Sequence, residues 1–335
     1  MPMLCFSRVL VVAAGMTSLA AVTQATQTVL AVQGTRFTVN GKPTFLLGIS
    51  YYGGLGARRE FVRQDLDDLQ RLGFNWLRVW ATWAYRGDDV SAVTPAGEPR
   101  EHYLRRLEWL IAECDRHGMV VDVTLSRGEG EGHVADLQGH ERAVTLLTGA
   151  FRSYRNWYLD LANERNVGDA RYVNPEELRT LRELVRQADP QRLVTASFAG
   201  DMGEGAVREA VLFIGLDFLC PHRPRHADSP RQTAQKTREL IDIMRKLGRL
   251  VPVHYQEPFR RGYGDWEPLA ADFLADLRGA LEGGAAGWCL HNGSQRSSSD
   301  GQPHRSFSLR QLRLFAQLDA EELSAASQAS SLVRY

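Results

Sequence analysis

Two apolar runs in this sequence each end on a glutamate. They are WYLDLANE, from Trp157 to Glu164, and VPVHYQE, from Val251 to Glu257. Each has the length and apolar content of a strand buried on both faces, and the first delivers an amide, Asn163, beside its carboxylate. A lone glutamate at a strand exit means only that polar residues begin there. Two that converge from separate strands can divide the work of breaking a glycosidic bond. One carboxyl protonates the leaving oxygen, while the other attacks the anomeric carbon or activates water. The question is therefore whether the fold brings Glu164 and Glu257 to one face.

The rest of the chain repeats one pattern, a short apolar strand, a loop and an amphipathic helix. Strands are expected at FLLGISYY from Phe45, WLRVWATW from Trp76, MVVDVTLS from Met119, WYLDLANE from Trp157, LVTASF from Leu193, LDFLCPH from Leu216, LVPVHYQE from Leu250 and AAGWCLHN from Ala285. Helical periodicity lies between them, as in REFVRQDLDDLQRLG, HYLRRLEWLIAECDRHG, NPEELRTLRELVRQAD, TAQKTRELIDIMRKLG and PLAADFLADLRGALEGG. Eight such units predict an α/β chain folded as a single-domain (β/α)8 TIM barrel, whose strands all open onto one face. A doubly wound open sheet lacks its signal, since no Gly-rich GxGxxG follows the first strand. Asn40-Gly41 predicts a short hairpin before strand one. The expected organisation is a signal peptide over residues 1–25, the barrel over 30–320, and a frayed C-terminal tail over 321–335.

Composition excludes some partners. Lys plus Arg and Asp plus Glu are 40 each, so no net charge favours nucleic acid or a membrane surface. Nearly all the positive charge is arginine, lysine occurring only at Lys42, Lys236 and Lys246. The N-terminus carries Arg8, an apolar run from Val9 to about Ala21, and small residues near Ala20 and Ala25. That is a secretory signal pattern, implying a secreted or periplasmic protein with no membrane contact after cleavage. Cys114, Cys220 and Cys289 are too widely spaced for a zinc site or a disulfide framework, although one bridge is compatible with export. His222 and His226 stand four apart around Pro224, so they are not a helical metal pair, and His133 and His140 fall in a Gly- and Glu-rich loop expected to be solvated. Neither a metal nor a cofactor is expected. No Gly-X-Ser-X-Gly elbow occurs.

An Asn-Glu pair ending strand four and a glutamate ending strand seven resemble the retaining (β/α)8 glycoside hydrolases, most of all family 5, the cellulase and mannanase family. The opening FTVNGKPTFLLGISYY is similar to the hairpin that plugs the bottom of such barrels. The resemblance implies an oligosaccharide or polysaccharide substrate, Glu164 as acid/base and Glu257 as nucleophile. It implies that Asn163 binds the sugar 2-hydroxyl, that Arg78 holds Glu257 ionised, and that Trp288 stacks on the sugar at the cleavage point. The charge on Glu257 would then keep Glu164 protonated near neutral pH. The chain departs from the family pattern at Arg165 and Pro258, which follow the two glutamates, and strand three lacks a histidine near its end. Strand six supplies His222 without the matching tyrosine, a place Tyr255 or Tyr51 could fill. Trp80 and Trp83 end strand two, and Tyr51 and Tyr52 end strand one, where aromatic rings can stack on sugars. Arg223, Arg225, Arg260, Arg261 and Arg296 all fall in loops on the same face and suggest an anionic glycan. Two alternatives stay open, a glycan-binding barrel without turnover and a metal-assisted hydrolase.

Overall fold

The computed structural model describes residues 28–167, 171–294 and 305–333. The segment expected to be a signal peptide and Arg296 lie outside them. An antiparallel sheet comes first: Leu30–Gln33 pairs with Arg36–Val39, which pairs with Lys42–Thr44 across Asn40-Gly41. Both turn residues have positive φ, 52° and 77°, as the two central residues of a tight hairpin turn require.

Eight parallel strands follow, one for each expected run but shorter. They are Leu46–Tyr51, Trp76–Trp80, Val120–Thr124, Trp157–Asp160, a fifth split at Ala196 into Val194–Thr195 and Ser197–Ala199, Cys220–His222, His254–Tyr255 and Gly287–Leu290. Strands five, four, three, two, one, eight and seven pair in that order. The second half of strand five pairs with strand six, and a parallel bridge from Leu219 to Val253 joins six to seven. The helices are α1 (Arg59–Arg71), α2 (Glu101–Arg116), α3 (Leu137–Ala150), α4 (Pro175–Ala188), α5 (Glu204–Arg208), α6 (Ser229–Lys246), α7 (Ala270–Gly283) and α8 (Ala320–Leu332). This is a TIM-barrel α/β fold.

Two predicted features are corrected. The residues from Glu321, expected to fray, form α8, capped by Asp319 and packed on α7. Its Ala325, Ala326 and Ala329 are buried, and the small side chains allow close approach. His140 is not in a solvated loop but inside α3, fully buried, with Nε2 2.6 Å from the Leu161 carbonyl oxygen. Burial, seconded by the charge of Arg171, lowers its pKa to about 3, so it is neutral. Cys114, Cys220 and Cys289 are buried free thiols.

Strand alternation sorts the side chains into two cores. Leu46, Trp76, Val120, Tyr158, Phe218 and Cys289 fill the barrel interior and meet Phe37 of the N-terminal sheet. Leu47, Ile49, Leu77, Val79, Val121, Val123 and Leu159 face the helices. Gly48 is required by the interior layer, because a Cβ there would lie 1.9 Å from a ring carbon of Trp76.

Candidate active site

Above the apolar layer the inward positions turn polar. Arg78, from strand two, is fully buried at the centre. Its Nε lies 3.1 Å from Thr124 Oγ1 and 3.3 Å from Asp122 Oδ2. Its Nη2 donates to Asp160 Oδ2 at 3.2 Å and to Asn163 Oδ1 at 2.9 Å, while Nη1 donates to Glu257 Oε1. The Trp80 ring covers the guanidinium at 4.5 Å. Burial opposes the charge on Arg78, yet Glu257, Asp122 and Asp160 together raise its pKa above the usual arginine value. One cation thus fixes the amide of strand four and the carboxylate of strand seven in a single geometry.

Glu164 sits in the left-handed region, φ 46°, a strained conformation for a residue with a Cβ. Its neighbours hold it there. The Glu164 N–H donates to Ser197 Oγ at 3.0 Å, and its carbonyl oxygen accepts from Arg127. The next N–H, of Arg165, donates to the Ser197 carbonyl oxygen at 3.0 Å, a bond a proline at that position could not make. The Arg165 side chain turns away to Glu209 and the Tyr172 hydroxyl.

Glu164, His222 and Glu257 each present one oxygen or nitrogen within 4.8 Å of the other two. His222 Nδ1 is 3.0 Å from Glu164 Oε1 and 3.7 Å from Glu257 Oε2. Arg225 reaches both carboxylates, with Nη2 2.9 Å from Glu257 Oε2 and 3.4 Å from Glu164 Oε1. Burial would raise the pKa of each glutamate. For Glu164 the His222 hydrogen bond and the charges of His222, Arg225 and Arg78 outweigh it, and the value falls to about 2. For Glu257 the charges of His222, Arg78 and His291 outweigh both burial and the repulsion of Glu164, again to about 2. The expectation that Glu257 keeps Glu164 protonated is therefore corrected for the free protein, where the hydrogen bond and charge of His222, ahead of the charges of Arg225 and Arg78, favour the carboxylate.

These lowered values make an acid prediction. A glutamate at about 2 when folded and 4.5 otherwise contributes stability that is complete above 4.5 and is lost as pH falls toward 2. The thermal midpoint of the wild type should drop more steeply between about pH 5 and pH 2 than that of Glu164→Gln, which lacks one of the two titrations. Parallel curves would show that Glu164 is not held by these charges.

The aromatic residues divide by strand parity. Tyr52, Trp80 and Phe307 form a buried cluster at the mouth, with Trp83 against it. Tyr52 stacks on Trp80 at 5.4 Å between centroids, and its hydroxyl is 2.8 Å from His291 Nε2, which is itself 3.6 Å from Glu257. Three expected binding residues lie elsewhere, because their side chains point out of the barrel. The Tyr51 hydroxyl donates to Asp65 on α1 at 2.9 Å, the Tyr255 hydroxyl is 2.7 Å from Thr237 Oγ1 on α6, and the Trp288 indole N–H donates to Asp276 on α7 at 2.7 Å. All three are at most 1% exposed, so none can stack on a sugar. Trp288→Phe is expected to cost about 1–3 kcal/mol in a denaturant titration, by stranding the Asp276 carboxyl, with the kinetics of sugar release unchanged. A raised KM at undiminished stability would return Trp288 to the binding surface.

His291 and Phe307 were missed. His291 could have been found by counting two positions along strand eight from the inward Cys289, whereas Phe307 lies in a loop without periodicity. The loop arginines also divide. Arg223 pairs with Asp201 and donates to the Ser229 carbonyl oxygen, and Arg261 pairs with Asp319, leaving Arg225 against the glutamates and Arg260 over the Tyr263 and Phe307 rings. His226 is exposed and His133 half-buried, and neither belongs to the three-residue cluster. Glu164, His222 and Glu257 could ligate a cation by spacing alone, but Arg78 and Arg225 already place two positive charges against the same carboxylates.

No protein-family profile and no curated protein matches the chain. Solved structures do. A family 5 glycoside hydrolase from Bacteroides vulgatus superposes with a TM-score of 0.67 at 16% identity, over 91% of this chain and 70% of that one. The fold is that of family 5 glycoside hydrolases. The endo-1,4-β-mannanase of Rhizomucor miehei matches at TM-score 0.61 and 14% identity, over 91% of this chain and 99% of that one. The β-mannanase of the blue mussel Mytilus edulis matches at 0.58 and 14%, over 88% and 98%. Against another Bacteroides vulgatus protein, ascribed to the glycoside hydrolases, the TM-score is 0.70 at 15% identity over 92% of this chain. There the chain spans 61% of its counterpart's length. Among the described residues no helix is long and apolar enough to cross a membrane.

Proposed function

We propose that this family 5-like barrel is an exported glycoside hydrolase that cleaves β-linked glycans with retention of configuration. One observation carries this reading: carboxyl oxygens of Glu164 and Glu257, from the ends of strands four and seven, lie within 4.8 Å of each other. So close an approach of one oxygen from each is nearer the roughly 5–5.5 Å spacing of carboxyl groups used in retention than the roughly 6.5–9.5 Å that makes room for the water of an inverting pair. Glu164 takes up a proton from water as the sugar binds; Glu257 then attacks the anomeric carbon as the glycosidic C–O bond breaks, and Glu164 gives that proton to the departing oxygen. Water then gives a proton to Glu164 and attacks the same carbon, releasing the Glu257 carboxylate. Arg78 keeps Glu257 ionised and takes up Asn163 Oδ1, leaving the Asn163 amide N–H groups to donate to the sugar 2-hydroxyl. Arg225 occupies the space against both carboxylates, so a bound sugar has to displace it. Its departure removes one of the charges that hold Glu164 ionised. Trp80 Nε1 and His222 Nε2 are buried and have no hydrogen-bond partner among the described residues, which leaves them available to sugar hydroxyls. Export rests on the N-terminal sequence pattern, and the partner the site calls for is an oligosaccharide or polysaccharide.

A second reading, a glycan-binding barrel without turnover, is favoured by Arg225 and by the low pKa of Glu164, which leave the free protein without a protonated acid. Reducing-sugar release from β-linked glucans, mannans, galactans and uronate polymers separates the two. Release from at least one polymer supports the hydrolase. Binding without release supports the second reading.

A further inference from the structure

Of the described arginines on the open face, Arg260 is unlike the rest. It is 8% exposed, yet among the described residues no carboxylate lies within ion-pair distance of it, and its Nε has no acceptor. Two aromatic faces hold it, Tyr263 at 5.2 Å and Phe307 at 5.2 Å from the guanidinium carbon. The same Tyr263 ring carries Arg225 at 4.5 Å, and Phe307 meets Tyr52 edge-on at 5.1 Å, beside His291 and Glu257. Burying a guanidinium without a counter-charge is costly, and cation–π contacts offset only part of that cost. Arg260 and Arg225 thus share one aromatic platform, a single ring removed from the glutamate pair.

We propose that Arg225, Arg260 and Tyr263 form an anion subsite. It takes the carboxylate of a uronic acid or the sulfate ester of a sulfated sugar on the residue next to the cleavage point. The proposal rests on the hydrolase reading only for the word cleavage. Guanidinium forks pair bidentately with either anion, and Tyr263, which is exposed, holds both guanidiniums where a ligand can reach them. A bound anion competes for Arg225 with Glu164 and Glu257, so the charged substrate itself draws the guanidinium off the two carboxylates.

Binding is measured by calorimetry on full-length Glu164→Gln protein, so that turnover does not interfere, with release followed in parallel on the wild type. The probes are a neutral β-1,4-linked oligosaccharide, its C6-oxidised uronate counterpart and its 6-sulfated counterpart. At least one acidic probe is expected to bind about 10-fold or more tightly than the neutral one, with the advantage shrinking as salt rises. Adding Arg260→Gln should remove about 10-fold of that preference, and comparison of the uronate and sulfate arms names the anion. Equal binding of all three probes, or a preference untouched by Arg260→Gln, overturns the subsite. Acidic binding with no release by the wild type supports the subsite while removing the hydrolase. Release from neutral glycans with no acidic preference keeps the hydrolase and overturns the subsite. Arg260→Met checks for a merely structural cation: its thermal midpoint should match or exceed that of the wild type, and a large fall would count against the proposal.

Discussion

Glu257→Gln is expected to lower kcat for glycan hydrolysis by about 10⁴-fold or more, with a cooperative thermal transition retained. The amide fills the same volume and still accepts a hydrogen bond from Arg78, so the barrel keeps its shape. The amide oxygen is a poor nucleophile, and the positive charges of Arg78 and Arg225 lose the anion they were arranged around. Glutamine cannot form the glycosyl ester that divides the reaction into two steps. Measured on whichever polymer the wild type degrades, a loss of less than about 10-fold would show that Glu257 is not the nucleophile.

The second large effect is on folding. Arg78→Met is expected to destabilise the chain by about 3–5 kcal/mol in a urea titration, because it leaves Asp160 as a buried carboxylate without its cation and Glu257 with only the more exposed Arg225. Asp122 is pushed well above its usual pKa by burial, with Arg78 the main opposing charge, and without that charge it would sit still higher. Arg78→Lys should recover only part of the loss. A lysine offers one point charge where the guanidinium reaches Thr124, Asp160, Asn163 and Glu257 from three nitrogens. A wild-type denaturation midpoint in Arg78→Met would mean that these carboxylates are held by something other than Arg78.

The strands, the helices and the placing of Glu164, Glu257, Arg78, Asn163 and His222 on one face were legible because each follows from a local rule. Apolar runs of strand length alternate with amphipathic helices, and strand ends share one face of the barrel. The errors came where that rule needed one more step. Tyr51, Tyr255 and Trp288 were chosen by type and by nearness to a strand end, but strand parity turns them toward α1, α6 and α7. The next residues along, Tyr52, Gln256 and Cys289, take the inward positions. An anchor such as Arg78 would have set that parity for strand two, yet each strand enters the ring with its own register, and register depends on pairing that a single sequence does not display. The tail is a chain terminus, where fraying is the ordinary expectation, but its small residues suit a close helix contact. Arg225 was placed in the right loop, but its bridge to both carboxylates depends on how that loop folds over the barrel.

The most direct test of the paired-carboxylate account is proton NMR in D2O of the purified chain acting on β-linked glucans, mannans, galactans and uronate polymers. The account predicts that the β anomer of a new reducing end appears first and then mutarotates. First appearance of the α anomer, or no new anomeric signal from any polymer, would contradict it.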